Sequence, residues 1–131
     1  MNIGEAAKAS GVSAKMIRHY EEAGLIRPAM RTQSNYRVYL PNDVEVLRFV
    51  RQARRLGFSM NQIATLLGLW KDHSRPSSKV KHLVKEQIGE LDRRIRELME
   101  MKKTLENLAE HCRGDARPEC PILDALAAQH H

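Results

Sequence analysis

The sequence predicts a mainly α-helical chain: a winged helix-turn-helix, then one long coiled-coil helix, then a short loop carrying two thiols. Three observations predict it. Ala7, Gly11 and Ile17 stand four and then six residues apart across two short helical stretches. Apolar residues from Val80 to Leu108 recur mostly at alternating steps of four and three. The only two cysteines, Cys112 and Cys120, lie near the C-terminus with seven residues between them.

The elements follow in order. Residues 4–10 read as a short helix stopped by Gly11. Ser13 is a good N-cap for a second helix over residues 14–23, ending at Gly24. A small Ala7, a Gly at the turn and a branched Ile17 are what a helix-turn-helix requires for close crossing. Ile3, Val12 and Tyr20 supply apolar contacts around it. Residues 26–40 lose the helical period. Pro28, Ser34 and Asn35 form turns, and Tyr36-Arg37-Val38-Tyr39-Leu40 alternates like a strand, so the segment predicts a loop with a small hairpin.

Asn42 or Asp43 then caps a helix over 43–56, with Val44, Leu47, Val50 and Ala53 on one face. Gly57 breaks it. Ser59 caps a helix over 60–70, with Ile63, Leu66, Leu67 and Trp70 facing inward. Residues 71–78 form a polar linker, so the first domain is expected over 1–70. The long helix, 79–111, carries the seam Val80, Val84, Ile88, Leu91, Ile95, Leu98, Met101, Leu105, Leu108 and Cys112. At 1.5 Å per residue it runs about 50 Å, more than the rest of a 131-residue chain can cover. Its free face is expected to bury itself on a second copy, as a homodimer. The segment 112–131 completes the chain as a loop and a short helix from Ile122 to Ala128, with Pro121 in its first turn.

Composition narrows the function. Charged residues are 29% and hydrophobic ones 42%, which is globular. Residues 1–58 hold ten Lys/Arg against five Asp/Glu, whereas residues 59–131 hold twelve against eleven. The positive excess sits with the helix-turn-helix, where a phosphate backbone is a natural partner. Lys15, Arg18 and His19 project from the helix expected to enter the major groove. Arg31, Tyr36 and Arg37 ride the hairpin, and Arg51, Arg54 and Arg55 follow on the next helix. Most of these are expected at phosphates, which position without reading sequence. No signal peptide is visible at Met1-Asn2-Ile3-Gly4-Glu5 and no stretch suits a membrane span, so a cytoplasmic location is expected. No Ser/His/Asp set, phosphate loop or paired catalytic carboxylates are recognisable, so an enzyme is not expected.

At this point the sequence resembles the MerR family of bacterial transcription regulators. The carrying residues are Ile3-Gly4-Glu5-Ala6-Ala7, Gly11-Val12-Ser13, Ile17-Arg18-His19-Tyr20-Glu21-Glu22-Ala23-Gly24-Leu25-Ile26, Asn35-Tyr36-Arg37-Val38-Tyr39, and the run from Leu47 to Ser59. The resemblance covers essentially the whole chain. Cys112, seven residues, then Cys120-Pro121-Ile122 make it most similar to the copper-efflux regulators of the CueR type. The resemblance implies a homodimer joined by an antiparallel coiled coil. It implies binding to a palindromic operator in a promoter with an overlong spacer, and remodelling of that DNA so that RNA polymerase engages both promoter elements. It places Lys15, Arg18 and Tyr20 on the recognition helix, Arg31, Tyr36 and Arg37 on the wing, Arg54 at a phosphate, and Cys112 and Cys120 as metal ligands. Two departures stand out. Asn35 replaces the family's usual Gly, and Asn also tolerates a left-handed turn. Arg18-His19-Tyr20 replaces Arg-Phe-Tyr or Arg-Tyr-Tyr, so His19 is expected to meet DNA in its own way.

Soft thiolates select soft ions. Zinc would want about four ligands, and His111, His82 and His73 are poorly placed to complete such a shell. Two sulfurs fit two-coordinate Cu(I), Ag(I) or Au(I). Relatives that sense divalent ions carry a Cys near the start of the long helix, where this chain has Ser77, a residue equally suited to capping that helix. Two thiolates and one monovalent ion leave one negative charge. Pro121 opens a helix directly after Cys120, and its positive end favours thiolate. Lys81 resembles a family residue near the site and is expected to add compensation. The same thiols leave open a redox switch closing a disulfide, a divalent Hg, Cd or Zn sensor, and a metal-buffering or dithiol protein.

Overall fold

The structure, a computed structural model, describes residues 1–128. The last three residues of the expected terminal segment, 129–131, lie outside the described residues.

Helix α1 (Ile3–Ser10) opens on a capping box that the sequence reading did not include. Asn2 Oδ1 accepts from the Glu5 N–H at 2.8 Å, and Glu5 Oε1 accepts from the Asn2 N–H at 3.0 Å. Gly11 ends it in the left-handed region, φ 77°. Helix α2 (Ala14–Glu22) starts at Ser13, whose hydroxyl oxygen accepts from the Met16 N–H at 3.1 Å. These two helices form the expected helix-turn-helix, with Ile17 fully buried and Ala6, Val12 and Tyr20 in the same core.

The wing is shorter than the alternation suggested. Strands β1 (Met30–Arg31) and β2 (Arg37–Val38) pair antiparallel, Met30 opposite Val38 and Arg31 opposite Arg37. Asn35 takes φ 66° at the tip, the left-handed turn expected of it. The strand does not run on to Leu40, because the Tyr39 N–H leaves the hairpin for the Met1 carbonyl at 2.7 Å and the Tyr39 ring enters the core, 2% exposed.

Leu40 then caps helix α3 (Pro41–Arg55). The expected cap at Asn42 or Asp43 is corrected: Pro41 takes the first turn, where its missing N–H costs nothing. Asp43 sits inside the helix and reaches back, its Oδ2 accepting from the Leu40 N–H at 2.8 Å. Val44, Leu47, Val50 and Ala53 are buried as the period predicted. Gly57 breaks the chain at φ 87°, and Ser59 caps helix α4 (Met60–Lys71) in a second capping box with Gln62. Ile63, Leu66 and Leu67 are buried. Trp70 is not: it remains 41% exposed and stacks on Phe49, ring centroids 4.7 Å apart at 12°. The linker is shorter than expected, since helix α5 (Ser77–Glu110) begins at Ser77 itself.

Two compact units divide within α5, Met1–Val84 and Lys85–His131. In the first, Leu83 packs against the core built from α1 to α4. Full burial of each large aliphatic chain there, such as Ile17, Leu47 or Ile63, contributes about 1.5–3 kcal/mol. In the second, the rest of α5 is laced by ion pairs of Arg93 with Glu90 and Glu97 and of Arg94 with Glu90. Its seam is uncovered in the single chain: Ile88, Leu91, Ile95, Leu98, Met101 and Leu105 range from 39% to 61% exposed. Helix α6 (Pro121–Ala127) closes the described chain. No helix among the described residues is long and apolar enough to cross a membrane.

Candidate functional site

Two regions carry the candidate residues, and the first is a basic surface on α2 and the wing. Ile17 and Tyr20 turn inward on α2, which leaves Lys15, Arg18 and His19 exposed on its outer side. Arg18 shares one concavity with Arg31, Tyr36 and Arg37 of the wing, together with Asn2, Ile3 and Asn35. The β1–β2 turn is tied by Thr32, whose N–H donates to the Tyr36 carbonyl at 2.8 Å and whose hydroxyl oxygen accepts from the Tyr36 N–H at 3.1 Å. Arg31 Nη1 donates to the Asn35 carbonyl at 3.1 Å. Tyr36 stands 73% exposed at the tip. Helix and wing thus bring three cations and an aromatic ring to one face, a surface whose charge suits a polyanion.

Two expected contacts look different in the structure. Tyr20, expected on the recognition surface, is 4% exposed and belongs to the core. Its ring packs because it follows Ile17 by one helical turn. Arg37 is only half exposed and faces Glu21, Nε to Oε2 3.8 Å. Arg54 is exposed on α3 and lines neither of the basic concavities.

The sequence named Arg51 as a candidate contact, but Lys8 and Arg48 were not among the candidates. Lys8, Arg48 and Arg51 line a second concavity beside Gly11. Arg48 donates through Nε and Nη2 to the Ala9 carbonyl at 3.1 and 2.9 Å, satisfying an orphan acceptor at the end of α1. Arg51 lies over the turn, its Nε 3.1 Å from where a Gly11 Cβ would stand. The Asn2 and Glu5 spacing was a readable capping signal. No local signal marks Arg48, whose partner is 39 residues away. Glu21 was also missed. It accepts a short hydrogen bond from the Tyr39 hydroxyl. Burial, then that bond, pushes Tyr39 up from 10.0 to about 12.

The second region is the thiol pair. Cys112 stands two residues past the end of α5, and its N–H donates to the Ala109 carbonyl at 3.2 Å. Cys120 is the N-cap of α6, in extended backbone at φ −136°, ψ 100°, and its carbonyl accepts from the Asp124 N–H at 3.1 Å. Both thiols are free and half-buried. Between them Gly114 turns the chain at φ 66°, and Asp115 accepts from the Arg117 N–H at 2.9 Å. His111, Arg113, Asp115, Arg117, Glu119 and Pro121 line an open polar hollow on this loop. His111 Nδ1 donates back to the Asn107 carbonyl at 2.6 Å, so that nitrogen is committed to α5. Among the described residues no group of three or more His, Cys, Asp or Glu side chains is gathered as a metal cluster. The soft donors this loop carries are the sulfurs of Cys112 and Cys120. Ser77 and Lys81 lie exposed in the first two turns of α5, and Cys112 comes just after its end.

Comparison with known proteins bears on both regions. Residues 1–69 match the family described as MerR HTH family regulatory protein, and residues 44–108 match MerR, DNA binding. The chain is 61% identical over 127 residues to heavy metal-dependent transcription regulator 2 of Rhizobium meliloti (strain 1021), covering 97% of this chain and 86% of that one. It is 40% identical over 131 residues to the HTH-type transcriptional regulator CueR of Salmonella typhimurium, covering 100% and 95%. Among solved structures, the transcription regulator PbrR691 from Ralstonia metallidurans CH34 in complex with lead(II) superposes with a TM-score of 0.83. That match has 28% identity and covers 96% of this chain and 98% of that one.

Proposed function

The chain belongs to the MerR family of DNA-binding transcription regulators, and we propose that it is the member that senses Cu(I), or Ag(I) or Au(I), through Cys112 and Cys120 and activates copper efflux genes. It is a metal-responsive regulator rather than an enzyme, in keeping with its relatives. The observation that carries the choice of ion is the donor set. The chain has two cysteines in all, free and half-buried at the two ends of one loop.

Two thiolates complete the shell of a monovalent soft ion, whereas a divalent ion would be left neutral and under-coordinated. Cys112 and Cys120 would hold the ion, which when bound would supply a link between the end of α5 and the start of α6. Ser77 stands where a divalent sensor would present a further sulfur, and Lys81 compensates the net negative charge of the site. The uncovered α5 seam is buried on a second copy in an antiparallel coiled coil, and the dimer presents two copies of the α2-and-wing surface to a palindromic operator. Lys15, Arg18, His19, Arg31, Tyr36, Arg37 and Arg54 serve that surface, and Tyr20 supports it from the core. With metal bound, the dimer remodels an overlong promoter spacer and RNA polymerase engages both elements.

In vitro transcription with purified protein tests this reading. Cu(I) and Ag(I) are expected to induce, and Zn(II), Hg(II) and peroxide are not. Cys112→Ser is expected to keep its gel shift on the promoter and lose induction. Induction by peroxide without metal would support a disulfide switch instead, and induction by Cu(I) in Cys112→Ser would refute the site.

A further inference from the structure

Beside the surface proposed to face DNA, the first unit carries a carboxylate, Glu21, that such a surface should disfavour. Glu21 lies in the last turn of α2, where the helix dipole opposes negative charge. It also stands one turn beyond Arg18, on the face turned toward the wing. Phosphates approaching that face would be repelled by it. Yet its side chain is only 9% exposed and engaged twice. Oε1 accepts from the Tyr39 hydroxyl, 18 residues away, and Oε2 faces Arg37 Nε at 3.8 Å. Tyr39 is itself fixed in the core, 2% exposed, and its N–H donates to the Met1 carbonyl. Arg37 pairs with Arg31 across the hairpin. A single carboxylate thus joins the end of the recognition helix to both the root and the second strand of the wing.

We infer that Glu21 is the positioning residue that fixes the wing against the recognition helix, so that Arg18 of α2 and Arg31 and Tyr36 of the wing meet one duplex in a set register. Arg37 then serves as part of this lock as well as of the cationic face. The inference rests on the DNA-binding reading of this surface. It also separates two effects of opposite sign. Removing a negative charge alone would tighten binding to any duplex. Loosening the wing would weaken binding only where the register matters.

The test uses the full chain and an operator duplex selected from a random pool by the wild-type protein, with an unrelated duplex of the same length beside it. Affinities of Glu21→Gln, Glu21→Ala, Tyr39→Phe and Glu21→Ala/Tyr39→Phe are measured together with their melting temperatures. Each single variant is expected to lose operator affinity roughly tenfold while binding the unrelated duplex as well as or better than wild type. The double variant is expected to be no worse than Glu21→Ala, since both changes cut one link. Should Glu21→Ala fail to fold, Glu21→Gln and Tyr39→Phe decide. Equal tightening on both duplexes, or operator loss only in step with lowered melting temperature, would overturn the inference. Failure of the wild type to select any duplex would overturn the DNA-binding reading as well.

Discussion

Tyr39 shows how one side chain serves both core and surface. Its ring is buried while its hydroxyl donates to Glu21 at the basic face. The neutral phenol is favoured by that environment, and its pKa rises from 10.0 to about 12. The linkage has a definite sign. Stability from a raised group is fully present below its unfolded value and is lost as pH climbs through the folded one. The melting-temperature advantage of wild type over Tyr39→Phe should therefore hold up to pH 10.0 and shrink toward pH 12. An advantage that grows with pH over this window would contradict the assignment. The cysteines pose a different residue-scale problem. The loop that carries them was legible in the sequence, because a Gly and a Pro lie between the two sulfurs. Tyr20 shows the converse. The apolar pattern set it among the core contacts, where it lies one helical turn after Ile17, whereas the resemblance had added it to the DNA-binding residues.

At the level of elements, the turn between α1 and α2 concentrates the constraints. Gly11 has φ 77° and Arg51 lies over it, 3.1 Å from where a Cβ would be placed. Gly11→Ala should cost about 1–2 kcal/mol from the left-handed backbone alone, with displacement of Arg51 in addition. Urea unfolding of the purified protein reads this directly, and a midpoint equal to wild type would refute the packing. Helices and caps were largely legible because their signals are local: Ser13, Ser59, Gly11 and Gly57 act on their nearest neighbours in the chain. The parts that escaped depend on residues far apart in sequence. The hairpin ended early because Tyr39 bonds to Met1. Trp70 stayed half exposed because Phe49 offered it a stacking face at the surface. Arg48 found the Ala9 carbonyl, and Glu21 found Tyr39. None of these pairings leaves a periodic trace. Pro41 was the exception: a readable first-turn signal outweighed by the more usual Asn and Asp caps beside it.

For the whole molecule, the decisive asymmetry is between its ends. The positive excess lies in residues 1–58 and the cysteines lie past residue 111. Between them runs α5, 34 residues and about 50 Å long, with its apolar seam uncovered in the single chain. A seam at alternating threes and fours suits a second helix of the same kind. In the proposed antiparallel pairing, the first two turns of one copy's helix, with Ser77 and Lys81, would stand beside the cysteine end of the other. On that proposal the thiol loop would lie at the dimer's helix ends, and a change at Cys112 and Cys120 would act on the DNA-binding unit of the second copy. Signal, dimer and promoter would then form one device, and the premise of that proposal is the coordination of the ion by two sulfurs. X-ray absorption at the copper edge on the Cu(I)-loaded protein tests that premise most directly. Two sulfur scatterers per copper are expected in wild type, and that signature should be lost in Cys120→Ser. A three- or four-coordinate copper with nitrogen scatterers, or a signature unchanged in Cys120→Ser, would contradict it.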